Sequence, residues 1–242
     1  MRIVADLHTH TVASGHAYGT IWETARRACE MGLEMVAITD HGPAMPGGTH
    51  RYYFGNLPIL PAVIEGVSIL KGVEANILSP EGKLDVPARY LAKLDWVAAG
   101  LHSDCIEPGS VEENTTALLA TIASGLVDVI VHPGNPRFAI DHNAFVDAAV
   151  RAGVAIEINN ASLTLPHRRG SDSNCTIIAR LAAERGAIIS LGSDAHAPWQ
   201  LGLLDSAISL ATAAGVTEDQ VLNVSQEKIR IFLSGRRQPR PK

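Results

Sequence analysis

Residues 127–158 read V-D-V-I-V-H-P-G-N-P-R-F-A-I-D-H-N-A-F-V-D-A-A-V-R-A-G-V-A-I-E-I, and their alternation decides the fold. The segments 127–131 and 154–158 are short, rich in β-branched residues and apolar nearly throughout, which is how strands covered on both faces read. The stretch between them ends at Gly153, a helix-stopping residue. Strand, helix and strand in that order make a parallel βαβ unit. The pattern recurs outward in both directions, with further strand candidates at 3–7, 35–39, 69–73, 96–100 and 188–191. Thr20 with Glu23, Ser110 with Glu113 and Thr217 with Gln220 have the spacing of a capping box and predict helix starts. Gly32, Gly125, Gly153 and Gly186 predict helix stops. About seven such alternations predict an α/β fold closed, or nearly closed, into one barrel, with a doubly wound open sheet as the alternative. No linker or compositional shift divides the chain. A single domain over residues 1–235 is expected, followed by a basic, flexible tail at 236–242.

Composition narrows the classes. Hydrophobic side chains make up 46% of the 242 residues, enough for a sizeable core. The 20 basic and 25 acidic residues give a formal charge of −5. That weighs against a surface that coats nucleic acid, but not against a phosphate-binding pocket. Cys29, Cys105 and Cys175 are scattered and odd in number, which fits a reducing, cytoplasmic setting without a disulfide framework. No signal-like apolar region and no membrane-spanning run is present, so no membrane partner is expected.

The placement of the ten histidines carries the chemistry. His8 and His10 follow the first strand as D-L-H-T-H, with His16 shortly after. Asp40 and His41 follow the second as T-D-H-G, Glu74 the third, His102 the fourth, His132 the fifth, and Asp194 and His196 the seventh. In parallel α/β folds the carboxyl ends of all strands lie on one side, so residues distant in sequence converge there. One strand-end histidine can be no more than a satisfied polar residue. Six strands ending in metal-competent side chains point to a shared site. Residues i and i+2 of an extended strand point the same way, so His8 and His10 can grip one ion together. Imidazole and carboxylate ligands suit zinc, manganese or iron. At about three to four protein ligands per ion, nine ligands imply two or three ions.

At this point the sequence resembles the PHP (polymerase and histidinol phosphatase) superfamily, and within it the stand-alone phosphatases. The motifs are D-L-H-T-H at 6–10, His16, T-D-H-G at 39–42, Glu74, His102, H-P-G-N-P at 132–136, E-I-N-N at 157–160 and G-S-D-A-H at 192–196. The resemblance implies a distorted (β/α)7 TIM-like barrel with a trinuclear centre at the carboxyl ends of the strands. Zinc is the usual metal, with manganese or iron as the other choices. Carried over residue by residue, His8, His10, Glu74 and Asp194 hold the first ion. Glu74 bridges to a second, shared with His102 and His132, and His16, His41 and His196 hold the third. The implied activity is that of a phosphoesterase, most simply a phosphatase, in which a metal-bound hydroxide attacks a small phosphate ester. The loop after His102, S-D-C-I-E-P-G, departs from the family segment.

Around this set, Asp40 is expected to orient a histidine through its outer N–H, or else to cap its loop. Arg137 is expected to clamp phosphate or to lie solvated. Asn159 and Asn160 are expected to hydrogen-bond substrate or a ligating histidine, or to shape a turn. Residues 51–54 are a candidate lid, with rim packing as the alternative. His50, His142 and His167 are expected on the surface or in loops. The rival functions are hydrolysis of the amidohydrolase type, nuclease or oligonucleotide phosphodiesterase action, and a non-catalytic metal module. A small phosphorylated molecule is the expected partner, without long nucleic acid. Monomer and homo-oligomer both fit.

Overall fold

The computed structural model describes residues 1–236, without the side chain of His167, so the expectation for that side chain falls outside the described residues. The strands are β1 (Ala5–Thr9), β2 (Met35–Ile38), β3 (Val63–Ile64), β4 (Val67–Asn76), β5 (Trp96–Gly100), β6 (Val129–Ile130), β7 (Ala155–Asn159) and β8 (Ile189–Gly192). The α-helices are α1 (Ile21–Glu30), α2 (Arg51–Asn56), α3 (Ala88–Leu91), α4 (Val111–Ala123), α5 (His142–Ala152), α6 (Ala161–Thr164), α7 (Ser171–Arg185), α8 (Asp205–Ala213) and α9 (Gln226–Arg236).

Seven strands run parallel in the order β1-β2-β4-β5-β6-β7-β8, while β3 pairs antiparallel with β4. Neighbours in space are thus neighbours in sequence, without the reversal that marks a doubly wound sheet. The barrel is nearly closed. β1 meets the loop after β8 through His10 N donating to Ala195 O (2.8 Å) and Asp194 N donating to His8 O (3.0 Å).

Local signals explain most of the elements. The capping boxes at Thr20/Glu23 and Ser110/Glu113 both form and open α1 and α4. Gly153 and Gly186 end α5 and α7 in the left-handed conformation. The Thr217/Gln220 box also forms, but it opens a single 3-10 turn, Glu218–Gln220, rather than an α-helix. The physical reason is that Val221, fully buried, bridges to Ile189 of β8 and draws the chain out after one turn. The strand β3 was not expected. It is two residues long and partly exposed, and its hairpin turns on Glu65 and Gly66, both at positive φ, as tight hairpin turns require.

The amino-terminal mouth of the barrel is filled. Ala5, Leu7, Met35, Trp96, Ala98 and Val129 pack with Leu222, Ile229 and Leu233, the last two from α9. Trp96 is fully buried, with its ring 6.1 Å from that of Phe232. Arg236, expected in the tail, instead belongs to α9, where it pairs with Asp128 at 3.1 Å. Residues 237–242 of that expected tail lie outside the described residues. With one mouth plugged by α9, the carboxyl end of the barrel is left for chemistry. Among the described residues, no helix is long and apolar enough to cross a membrane.

Candidate metal centre

Glu74 stands at the middle of the carboxyl mouth, fully buried near the end of β4. Its Oε1 lies 2.7 Å from His132 Nε2 and 2.9 Å from His102 Nε2. Its Oε2 lies 3.0 Å from His41 Nδ1, 3.2 Å from His8 Nε2 and 3.3 Å from His10 Nε2. Asp194 Oδ1 lies 3.2 Å from His10 Nε2 and 3.6 Å from His8 Nε2. His16 and His196 bring their Nε2 atoms within 3.0 Å of each other, and the His16 and His41 rings stack at 5.2 Å. The nine side chains expected to converge therefore meet in one place, although they span residues 8–196. His41 stands between the His16/His196 pair and Glu74.

The donor set fits divalent cations. The His8 and His10 Nε2 atoms lie 3.1 Å apart. Glu74 Oε2 has three ring nitrogens within 3.3 Å yet no hydrogen bond, and His41 Nδ1 beside it is likewise unsatisfied. Buried polar atoms that face one another without hydrogen-bonding are costly, and a cation ligated by imidazole nitrogen and carboxylate oxygen satisfies them together. Among the described residues, three sets have ligand atoms within 4.8 Å of one another: His8/His10/Asp194, His10/His41/His196 and His41/Glu74/His102.

The backbone makes room for this crowding. A side chain at Gly100 would press on the imidazoles of His132 and His102, and one at Gly192 would collide with Glu157 Oε1 and the His8 Cβ. His132 and Asp194 both hold positive φ, 36° and 57°, strain of a kind that gathers at functional sites. Gly192→Ala should therefore destabilise the protein by about 1–3 kcal/mol and loosen bound metal. A denaturant midpoint and a chelator competition would both register the change, and unchanged values in both would refute the steric account.

A second layer orients the first. Glu157, on β7, brings Oε1 to 2.7 Å from His8 Nδ1, while its Oε2 accepts from His132 N at 2.8 Å. The sequence reading gave Glu157 no role, although an acid on an otherwise apolar strand was a usable signal. Among the described residues, no histidine side chain hydrogen-bonds the Asp40 carboxylate. It accepts from Thr11, Ser14 and Tyr53, and Ser14 Oγ lies 3.2 Å from His10 Nδ1.

Asn159 is fully buried, with its Nδ2 turned to Glu157 Oε2 (3.1 Å) and Asp194 Oδ2 (3.3 Å). Asn160 accepts from Ala207 N of α8 at 3.0 Å. Neither is among the residues lining the cavity, and Asn159 Oδ1 accepts from Ser162 N at 2.8 Å, in keeping with the turn-shaping alternative. A cavity of ≈ 620 Å³ does open over the histidines, and Arg137, Arg168, Ser103, Asp104 and Gln200 line it. Arg168, unforeseen in the sequence, donates to Asp194 Oδ2 at 3.0 Å. Arg137 donates to Ser103 Oγ at 3.3 Å.

The expected lid, 51–54, lies within α2. Phe54 is buried in the core, the Tyr53 hydroxyl donates to Asp40, and Tyr52 is exposed. That segment does not line the cavity, whereas Met45 from the same loop does. His50 caps α2 by accepting from Tyr52 N, and His142 opens α5.

Electrostatics follow from the crowding. Burial opposes ionisation of Glu74, yet His41, His8 and His102 hold its carboxyl well below the usual range. Burial is likewise outweighed at Asp194, by His8 and Arg168. His8 is disfavoured by burial but raised well above an ordinary imidazole by Glu157, Glu74 and Asp194. His41 is raised in the same way by Glu74. His10 is lowered by burial, His41 and His196, and burial takes His102 down to about 4. Ligation needs neutral imidazole, so metal must displace protons from His8 and His41, which hold them above pH 6.5. Metal affinity should rise with pH through that range, with proton release in a weakly buffered titration. Uptake at pH 6.5 with no proton release would contradict this.

The PHP domain family matches residues 6–161 of the chain. A probable phosphatase of Caldanaerobacter subterraneus subsp. tengcongensis is 51% identical over 238 residues, covering 98% of this chain and 93% of the relative. A probable phosphatase of Acetivibrio thermocellus is 45% identical over 238 residues, covering 98% of each chain. Among solved structures, the histidinol phosphate phosphatase of Lactococcus lactis, complexed with zinc, L-histidinol and phosphate, gives a TM-score of 0.58 at 17% identity. The match covers 88% of this chain and 94% of that one. A chain in archaeal ribonuclease P with mature tRNA gives 0.60 at 15% identity, over 95% and 90%. At such identities these two likenesses bear on fold alone.

Proposed function

The chain belongs to the PHP family, and on that premise we propose that it is a metal-dependent phosphatase of small phosphate esters. The proposed centre holds three divalent ions on His8, His10, His16, His41, Glu74, His102, His132, Asp194 and His196. Zinc is the metal that best suits the imidazole-rich set, with manganese and iron as alternatives. The single observation that carries this reading is the placement of Glu74. One of its oxygens faces His102 and His132, while the other faces His8, His10 and His41. A carboxylate so placed could serve two cations at once.

Divalent ions there would acidify water toward neutral pH and offset the charge of the phosphoryl oxygens. The chain supplies the rest. Glu157 holds His8 by its outer nitrogen and so aims Nε2 inward. Arg168, anchored on Asp194, and Arg137, anchored on Ser103, present guanidinium groups to the cavity, where they can pair with a dianionic phosphate. His8, His10, His41, Glu74, His132 and Asp194 are buried, whereas His102 and His196 are half-buried and His16 is exposed at the open side of the cavity, which is where a phosphate ester would enter. We further propose that the chain through the end of α9 forms one domain, that the substrate is a small phosphorylated molecule rather than long nucleic acid, and that the enzyme works in the cytoplasm.

A hydrolysis screen with a readout of the released product of each substrate class tests this reading. Phosphomonoesters, phosphodiesters and amides are assayed side by side, with added zinc or manganese and with a chelator. Release from monoesters that stops on chelation is the expected result. Turnover of amides or diesters alone would contradict it.

A further inference from the structure

A hydroxyl has one hydrogen to give and two lone pairs to receive, and at Ser14 all three are committed. Ser14 is fully buried, and its Oγ donates to Asp40 Oδ1 at 2.7 Å. The same oxygen receives the backbone N–H of His41 at 3.1 Å. One lone pair remains, and His10 Nδ1 lies 3.2 Å away. That nitrogen can only be a donor.

Asp40 fixes the direction of this chain of bonds. Its Oδ1 also receives Thr11 N at 2.7 Å, while its Oδ2 receives Thr11 Oγ1 at 2.8 Å and the Tyr53 hydroxyl at 2.7 Å. Four donors converge on a buried group that accepts and does not donate when ionised, so the Ser14 hydrogen cannot turn elsewhere without leaving a buried acceptor short. Tyr53 is a dependable member of the set: burial, and then the charge of Asp40, push its phenol up, so it keeps its proton.

We propose that Asp40, acting through Ser14, holds His10 in the Nδ1–H tautomer, so that the Nε2 lone pair faces Glu74 and Asp194, and that Tyr53 of α2 locks this relay. Asp40, Ser14 and Tyr53 are positioning residues, and none of them touches the reacting atoms. His8 reaches the same tautomer by a shorter route, with Nδ1 directly against the Glu157 carboxylate. The two histidines of one H-x-H motif are therefore set by two different devices, one a carboxylate and the other a carboxylate–hydroxyl relay. The relay also ties α2, in the loop after β2, to the ligand shell. The inference rests on the metal-centre reading for what His10 Nε2 holds.

The test uses the full-length, zinc-loaded protein with 15N-labelled histidine, read by long-range 1H–15N correlation. His10 is expected to show a protonated Nδ1 and a metal-bound Nε2. Ser14→Ala should weaken zinc at one site by about 10- to 100-fold in a competition with a chromophoric chelator, the range for loss of an outer-layer partner. Tyr53→Phe should give a smaller loss in the same direction. Zinc on His10 Nδ1, or a Ser14→Ala variant that binds zinc as tightly as the wild type, would overturn the relay while leaving the metal centre standing. A wild type that takes up no zinc would overturn both. Should Ser14→Ala fail to fold, the wild-type spectrum still decides.

Discussion

Glu74→Gln is expected to lower kcat/KM for phosphate release by about 10³-fold or more while leaving the barrel folded. The substitution keeps the shape of the side chain but replaces one oxygen with an NH2 group that cannot ligate. Five ring nitrogens lie 2.7–3.3 Å from the Glu74 oxygens. Whichever way the amide turns, one set of imidazoles loses its anionic partner. The negative charge that holds His8 and His41 toward the centre is lost as well. Metal assistance is worth several kcal/mol of transition-state charge stabilisation, and at 1.36 kcal/mol per decade that gives the stated loss. Metal content should fall by about one ion per chain or more, with circular dichroism unchanged. Full activity in this variant would remove Glu74 from the centre.

Stripping the metal should destabilise the fold strongly. An ion that binds only the native state adds RT ln(1 + [L]/Kd), about 4 kcal/mol at a thousandfold excess over Kd. For a chain of this size 1 kcal/mol moves Tm by about 2–4 °C, so a chelator should lower Tm by about 8–16 °C, and zinc should restore it. The stripped protein should also respond to pH in two directions. The pairing of His8 and His41 with acids raises their pKa values, so its stabilisation is full below about 6.5 and is lost as pH rises through the raised values. The pairing of Glu74 and Asp194 lowers theirs, so its stabilisation is present above the ordinary carboxylate values and is lost as pH falls through the lowered ones. The stabilisation conferred by metal should consequently grow toward higher pH. A Tm unmoved by chelation at pH 8 would argue that no ion supports this site.

The site was legible because the fold made it so. Parallel strands present all their carboxyl ends on one face, so His102 after β5 and His132 after β6 could be placed together from strand boundaries alone. Strand β5 was readable residue by residue, since Trp96–Gly100 is apolar throughout and buried. What lies one step back from the strand ends was not readable. Asn160 closes the E-I-N-N motif, yet its side-chain Oδ1 accepts from the start of a helix 47 residues further on, a contact without local signal. Asp40 was recognisable as an outer-layer acid, but the intervening Ser14 depends on how the short helix Val12–Ser14 folds beneath it. Arg168 sits in a 3-10 turn after β7, and only the tertiary path of that loop brings it to Asp194.

The most direct test of the account is to measure metal content and phosphate release on the same samples as the protein is stripped and reloaded. The account predicts about three divalent ions per chain when loaded, activity that falls with the ions removed, and recovery on adding zinc. A protein that stays below one ion per chain and still releases phosphate at the full rate would contradict it.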